Sequence, residues 1–114
     1  MNTHVALPAA KSLQYAQIFA ALGDPTRVTL VSQLSSGTAC SISQLTDSAC
    51  ISRQAVTKHL QILERAGLVQ NTRHGRESLF ELVDKPFNDI HEYLNLVSVQ
   101  WEQALSRLKS FVEE

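Results

Sequence analysis

Proline, glycine and cysteine are scarce in this chain: three, four and two residues out of 114. The shortage of proline and glycine argues against low-complexity linkers and against an all-β fold with many turns. The two cysteines, Cys40 and Cys50, are too few for a secreted disulfide scaffold, so a reducing compartment is the default. No uninterrupted apolar run is long enough to span a bilayer. The first residues, MNTHVALPAAKSLQYAQ, lack a basic segment, and Pro8 and Lys11 break their apolar run, so they do not read as a secretory leader. These absences predict a cytoplasmic protein with no membrane partner. Also missing are a glycine-rich phosphate loop, a nucleophile elbow, a cofactor motif and a pair of carboxylates in a plausible cleft. An enzyme is therefore not expected, and no cofactor is implied.

What is present is ample apolar material, 44% of residues, with 18% charged, which suits one folded domain rather than a disordered chain. Residues 1–10 read as a flexible tail, and residues 11–114 as a single domain. LQYAQIFAALG puts Leu13, Ala16, Phe19 and Ala20 at helical spacing, and Gly23 stops that helix. In DPTR, Asp24 can cap a second helix and Pro25 fits its first position. Val28, Leu30, Val31 and Leu34 supply its apolar face, and Ser36-Gly37 ends it. TACSI is a short β-prone connector. Ser43 is the expected cap of a small third helix over QLTDSA.

The stretch ISRQAVTKHLQILERAGLV, from Ile51 to Val69, is the most informative part of the chain. Ser52 is a good N-cap, and Ile51 before it can staple onto Val56. Val56, Leu60 and Leu63 follow the i, i+4, i+7 pattern that fixes a helix to a core. Arg53, Gln54, Thr57, Lys58, Gln61 and Arg65 then face outward. A short helix, a tight turn and a longer helix with a polar outer face make a helix-turn-helix. Downstream, LVQNTRHGRESLFELVD switches to two β-prone runs around the loop Arg73-His74-Gly75-Arg76, which reads as a hairpin. The predicted fold is mainly α with a small β-hairpin wing, an α+β winged helix-turn-helix.

The outward side chains suit DNA. Arg and Lys reach guanine acceptors or phosphates, Gln can pair with adenine, and the Thr methyl can touch the thymine methyl. Residues at the N-terminal end of the second helix reach base edges in such motifs, and Arg53, Gln54, Thr57 and Lys58 stand there. Local charge agrees. Between residues 51 and 76 the five cations Arg53, Lys58, Arg65, Arg73 and Arg76 face one acid, Glu64; this local balance of +4 leaves −5 for the remainder, given the total of −1. A basic face on an acidic body is the footprint of a polyanion partner. Double-stranded DNA is the partner expected, contacted by Ser52, Arg53, Gln54, Thr57, Lys58, Gln61, Arg65, Arg73, His74 and Arg76. Against this stand two plainer readings: a solvated helix face, and a winged helix used for protein–protein contact.

Pro86 opens a last helix, residues 86–112. In it Ile90, Leu94, Val97, Trp101, Ala104, Leu108 and Phe111 alternate at spacings of four and three, an a/d seam. Such a stripe either covers the domain's own core or pairs with another chain. Its narrowness favours a homodimer, to which the first helix can contribute.

With these residues in view, ALGDPTR, SISQL, SRQAVTKHLQILERAGLV and RHGRESLFEL resemble the ArsR-type winged-helix repressors, also called ArsR/SmtB-like, over roughly residues 13–112. The resemblance implies a homodimer held by its first and last helices, on an operator with twofold pseudo-symmetry. It also implies repression that is relieved by a signal, though no residue here names the inducer. The C-terminal PFNDIHEYL and WEQALSRLKSFVEE look like the subgroup with a Trp in the last helix and no metal site.

Two departures bear on sensing. The Cys-x-Cys box that many relatives carry in the third helix is absent from SISQLTDSAC. Asp89-Ile90-His91 matches the opening of a last-helix metal site, but Glu102 and Leu105 stand where its second His and its Glu would be. Four good ligands are needed for a closed zinc site, so no metal is expected and Asp89 and His91 read as a solvated face. Cys40 and Cys50 flank the third helix and leave a metal- or redox-gated sensor version of the repressor open as an alternative. The plainer alternative is that each is a small apolar filler. His59 can touch a phosphate or serve as a partly buried structural histidine.

Overall fold

The computed structural model describes residues 7–113 and contains five helices and three strands. The N-terminal residues 1–6 of the expected tail lie outside the described residues. The chain forms two units, one running to Asp84 and one made of the helix from Lys85 onward.

Helix α1, Ala9–Leu22, begins earlier than expected, because the Pro8 carbonyl already accepts the N–H groups of Lys11 and Ser12 at 3.0 and 3.1 Å. Residues 9 and 10 are therefore helix rather than tail. The apolar face assigned from sequence is also corrected. Tyr15, Ile18 and Ala21 are buried, whereas Leu13 and Phe19 are exposed. At 100° per residue, Leu13, Ala16 and Ala20 fall on the side opposite the buried set, so α1 is apolar on two sides. Gly23 ends the helix at negative φ; a Cβ there would sit 3.3 Å from the Phe19 carbonyl oxygen, so the site favours glycine by close approach.

Asp24 caps α2, Pro25–Leu34, by accepting from the N–H groups of Thr26 and Arg27 at 2.9 and 3.1 Å. Leu30 and Leu34 are buried, but Val28 faces solvent and is not part of the core. The cap of α3, Ile42–Asp47, is Ser41 and not Ser43. Ser41 Oγ accepts from Gln44 N–H at 3.2 Å while Gln44 Oε1 accepts from Ser41 N–H at 2.8 Å, a reciprocal capping box that Ser43 has no partner to form. Helix α4, Arg53–Arg65, starts at Ser52, whose Oγ accepts from Ala55 N–H at 3.1 Å. It ends at Gly67, with φ +79; Leu68 N–H reaches back to the Leu63 carbonyl at 3.0 Å and Gly67 N–H to that of Glu64 at 2.9 Å.

β1, Cys40–Ser41, β2, Val69–His74, and β3, Glu77–Leu82, form an antiparallel sheet in the order β1–β3–β2. The hairpin register ends at His74 opposite Glu77, leaving Gly75-Arg76 as a two-residue turn. Positive φ falls on Gly75 alone, at +65, as a type II′ turn requires. β1 lies within TACSI, the stretch read as a short β-prone connector; Cys40 pairs with Phe80 and Ser41 with Leu79. The core of this unit is Ile18, Leu30, Leu34, Leu45, Val56, Leu60, Leu63 and Leu68, each essentially inaccessible to solvent. Truncating any one of these leucines to alanine costs about 2–5 kcal/mol, which is what holds α4 in place.

Helix α5, Asp84–Glu113, starts two residues before Pro86. First-turn N–H groups have no intrahelical acceptor, so proline is accepted there as well as at the first position. Of the seven seam residues Ile90 is buried, Ala104 half-buried, and Leu94, Val97, Trp101, Leu108 and Phe111 exposed. Leu105 and Val112 are exposed too, and on a straight helix they extend one edge of the Leu94–Val97–Trp101–Leu108 stripe, Val112 in line with Leu94 and Leu105 about 20° beyond it. The heptad template passed over them because a straight helix drifts about 20° per heptad.

Candidate nucleic-acid interface

Helix α4 separates its residues by side. Val56, Leu60 and Leu63 are fully buried, while Arg53, Gln54, Lys58 and Gln61 are exposed and Thr57 half-exposed. Together with Ser52 and Ala55 they line one open concavity of about 630 Å³. The first-turn N–H groups of α4 open onto the same end, and amides with the helix dipole favour an anion there.

Two of these side chains are already engaged. Arg53 Nη1 donates to Ser43 Oγ on α3 at 3.1 Å, which ties the two helices of the motif and leaves most of the guanidinium donors free. Thr57 Oγ1 donates back to the Arg53 carbonyl at 2.8 Å, so its methyl is the group left for an outside contact. Gln54, Lys58 and Gln61 make no side-chain hydrogen bond among the described residues. Arg65 stands apart from this set: it lines a second depression, of about 360 Å³, between α1 and α4, with Gln17, Ala20, Ala21, Ile62 and Ala66.

The wing carries Arg73 and His74 at the end of β2 and Arg76 in the turn, all exposed. Its lower part is braced across the strands, Gln70 Nε2 donating to Glu81 Oε1 at 2.8 Å. That bond engages Glu81, while the other acid of β3, Glu77, stands opposite His74 beside the turn. Among the described residues, none of Arg53, Lys58, Arg65, Arg73 and Arg76 lies in an ion pair. Arg53 and Lys58 on α4 and Arg73 and Arg76 on the wing are thus exposed cations outside any ion pair, with Arg65 in its separate depression.

His59, next to Lys58, is half-buried; its Nδ1 lies 3.2 Å from Arg27 Nη1 and 3.8 Å from Asp24 Oδ2. Sequence spacing carries no signal for this contact between residues 32 apart. The backbone N–H of Arg27 is the main reason that the Asp24 carboxyl stays below its ordinary value; burial opposes the shift, and the Arg27 charge adds to it.

The sensing residues are placed as follows. Cys40 and Cys50 are free thiols, Cys40 half-buried in β1 and donating to the Thr38 carbonyl at 3.5 Å, Cys50 exposed after α3. Asp89 pairs with Lys85 at 3.0 Å along α5. Among the described residues no three His, Cys, Asp or Glu side chains gather as a metal site would need, and no helix is long and apolar enough to cross a membrane.

Comparison with known proteins agrees with this geometry. Residues 22–70, the span from the end of α1 to the start of the wing, match the model of a helix-turn-helix domain family. The HTH-type transcriptional repressor SmtB of Mycobacterium tuberculosis is 34% identical over 89 residues, 78% of this chain, and this chain spans 64% of that protein's length. YuzN of Bacillus subtilis, an uncharacterised HTH-type transcriptional regulator, is 35% identical over 79 residues, covering 64% of this chain and 86% of YuzN. An ArsR-like transcriptional regulator from Rhodococcus superposes with a TM-score of 0.77 at 30% identity, covering 90% of this chain and 96% of that one. A helix-turn-helix with a two-stranded wing, matched along nearly its whole length by such regulators, belongs to the ArsR/SmtB-type family of winged helix-turn-helix transcriptional regulators.

Proposed function

We propose that this protein is a sequence-specific DNA-binding repressor that acts as a homodimer on a pseudo-palindromic operator. The observation that carries the reading is the set of five unpaired cations on α4 and the wing of a chain that is otherwise net acidic. Arg53, Gln54, Thr57, Lys58 and Gln61 enter the major groove behind the Ser52 cap. Arg65, Arg73, His74 and Arg76 take phosphates or the minor groove. The exposed stripe of α5, widened by Leu105 and Val112, supports pairing with a second copy, joined by the outer face of α1. Such a dimer sets its two readers about one helical turn of DNA apart, roughly 34–36 Å. The reading involves no catalysis and no bound cofactor, and it places the protein in the cytoplasm.

The test is fluorescence anisotropy against duplex from upstream of the protein's own gene and against random duplex, at two salt concentrations. Binding that is tighter on the upstream duplex and falls steeply with salt is expected. Equal weak binding to every duplex would favour the winged helix as a protein-contact module instead.

A redox-gated version of the same repressor rests on one specific observation: both thiols are free, and Cys50 is exposed immediately before the turn into Ser52. Replacing both cysteines by serine and finding the oxidant response of DNA binding unchanged would remove it.

A further inference from the structure

Arg27 joins three elements through three separate groups. Its Nε donates to the Ala21 carbonyl in the last turn of α1 at 2.5 Å. Its backbone N–H donates to Asp24 Oδ2, the cap of α2, at 3.1 Å. Its Nη1 meets His59 Nδ1 on α4 at 3.2 Å. A guanidinium only donates, so His59 Nδ1 accepts and carries no proton. The ring is then neutral, with its proton on Nε2. A proton on Nδ1 as well would set two donors and two positive charges against each other. Asp24 Oδ2 does not replace Arg27 as the partner of this nitrogen: it lies 3.8 Å away and already accepts from Thr26 and Arg27 N–H.

His59 occupies a particular place on the helix. Lys58 before it is exposed and Leu60 after it is fully buried, so the ring marks the border between the outer face and the core face. Core leucines hold α4 down, and their interdigitated packing already limits its rotation and sliding. A hydrogen bond with a fixed acceptor direction restrains both. A reading surface has to be held to about 0.5 Å and 10–20° to be productive.

We infer that His59 is a positioning residue for DNA reading: its neutral imidazole, through Arg27, registers α4 on the corner between α1 and α2, so that Lys58 and Gln61 present correctly to base edges. This inference rests on the proposed function. It differs from a phosphate contact by His59, because the acceptor nitrogen points to Arg27.

The full-length protein decides it with two variants and one spectrum. His59→Asn keeps an acceptor close to the position of Nδ1; His59→Leu removes it while keeping bulk. With upstream and random duplexes, His59→Leu is expected to lose about tenfold on the upstream duplex, the worth of one charge-assisted bond, with random-duplex binding and the salt slope unchanged. His59→Asn is expected to stay within about threefold of the parent. Nitrogen NMR of the parent at pH 8 is expected to show His59 with a bare Nδ1 and a protonated Nε2. A proton found on Nδ1 overturns the inference. So does His59→Asn falling as far as His59→Leu, or His59→Leu losing equally on all duplexes with a shallower salt slope, which would make His59 a phosphate contact. A parent that discriminates duplexes, with His59→Leu discriminating equally well, overturns the inference alone. A parent that does not discriminate overturns the proposed function, and the positioning role falls with it.

Discussion

Arg53 and Ser43 are ten residues apart in sequence and joined by one hydrogen bond of 3.1 Å, from a guanidinium arm on α4 to a hydroxyl on α3. The bond gives Arg53 two separable tasks. One arm holds the turn of the helix-turn-helix, and the remaining donors are available to DNA. Arg53→Ala removes both tasks and is expected to weaken operator binding by about 1–3 kcal/mol, or about fivefold and upward. Ser43→Ala removes only the tie between two exposed groups and is expected to cost less than about threefold. Anisotropy titration of both variants separates the tasks. Equal losses would make Arg53 a structural tie and nothing more.

The wing predicts a different signature. Arg73, exposed near the end of β2 one residue before the strand ends, lies in no ion pair among the described residues. If it takes a phosphate, Arg73→Ala weakens binding to every duplex alike and lowers the salt slope by about 1. Titrations at four salt concentrations give that slope directly. A loss confined to one sequence, with the slope unchanged, would move Arg73 from phosphate to base reading.

The local parts of this fold were legible because their causes are local. Ser52, Asp24, Pro25 and Gly67 act within one turn of their own helices, and each stands where its chemistry places it. The wing was legible because a glycine and alternating residues bracket it. Ser41 was passed over for Ser43, although Gln44 three residues later is the signal that picks Ser41. The faces of α1 and α2 were misjudged for a different reason. A helix apolar on two sides, such as α1, gives a pattern with no single answer until its neighbours are known. Of the candidate site, α4 and the wing tip were legible as residue types with the wrong chemistry for a core. The bonds Arg53–Ser43 and Arg27–His59 and the pairing of Cys40 with Phe80 were not, since each joins residues that only the folded chain brings together.

Asp24 makes the stability of the α1–α2 corner depend on pH. Its carboxyl is held below the ordinary value of 3.8, so the folded chain binds that proton less readily than the unfolded chain. The stabilisation is therefore fully present above the ordinary value and is lost as pH falls through the lower folded value. Asp24→Ala is expected to melt at a lower temperature than the parent at pH 7, with the gap narrowing at an acid pH below the ordinary carboxylate value. Asp24→Asn, an equally good cap that does not titrate, is expected to track the parent at pH 7 and to show less acid sensitivity. Thermal melts followed by circular dichroism test this, and a gap between Asp24→Ala and parent that is the same at both pH values would contradict it.

Trp101 tests what the stripe on α5 is for. Its side chain is 65% exposed, and it lies on the same side as Leu94, Leu105 and Leu108. An exposed tryptophan contributes little to the stability of the chain that carries it. At the centre of a dimer interface it is the residue type whose truncation costs most, about 2 kcal/mol or more. Trp101→Ala is therefore expected to raise the dimer dissociation constant by about thirtyfold while leaving helix content unchanged. Operator affinity should fall with it, because two half-sites gain from being bound by linked readers. Val99, exposed on the other side of the helix, supplies the control, and Val99→Ala should leave the dimer intact. Sedimentation equilibrium of the three proteins reads the result. If Trp101→Ala leaves association unchanged but lowers the melting temperature, the stripe covers this chain's own surface, and the homodimer must be sought on another face.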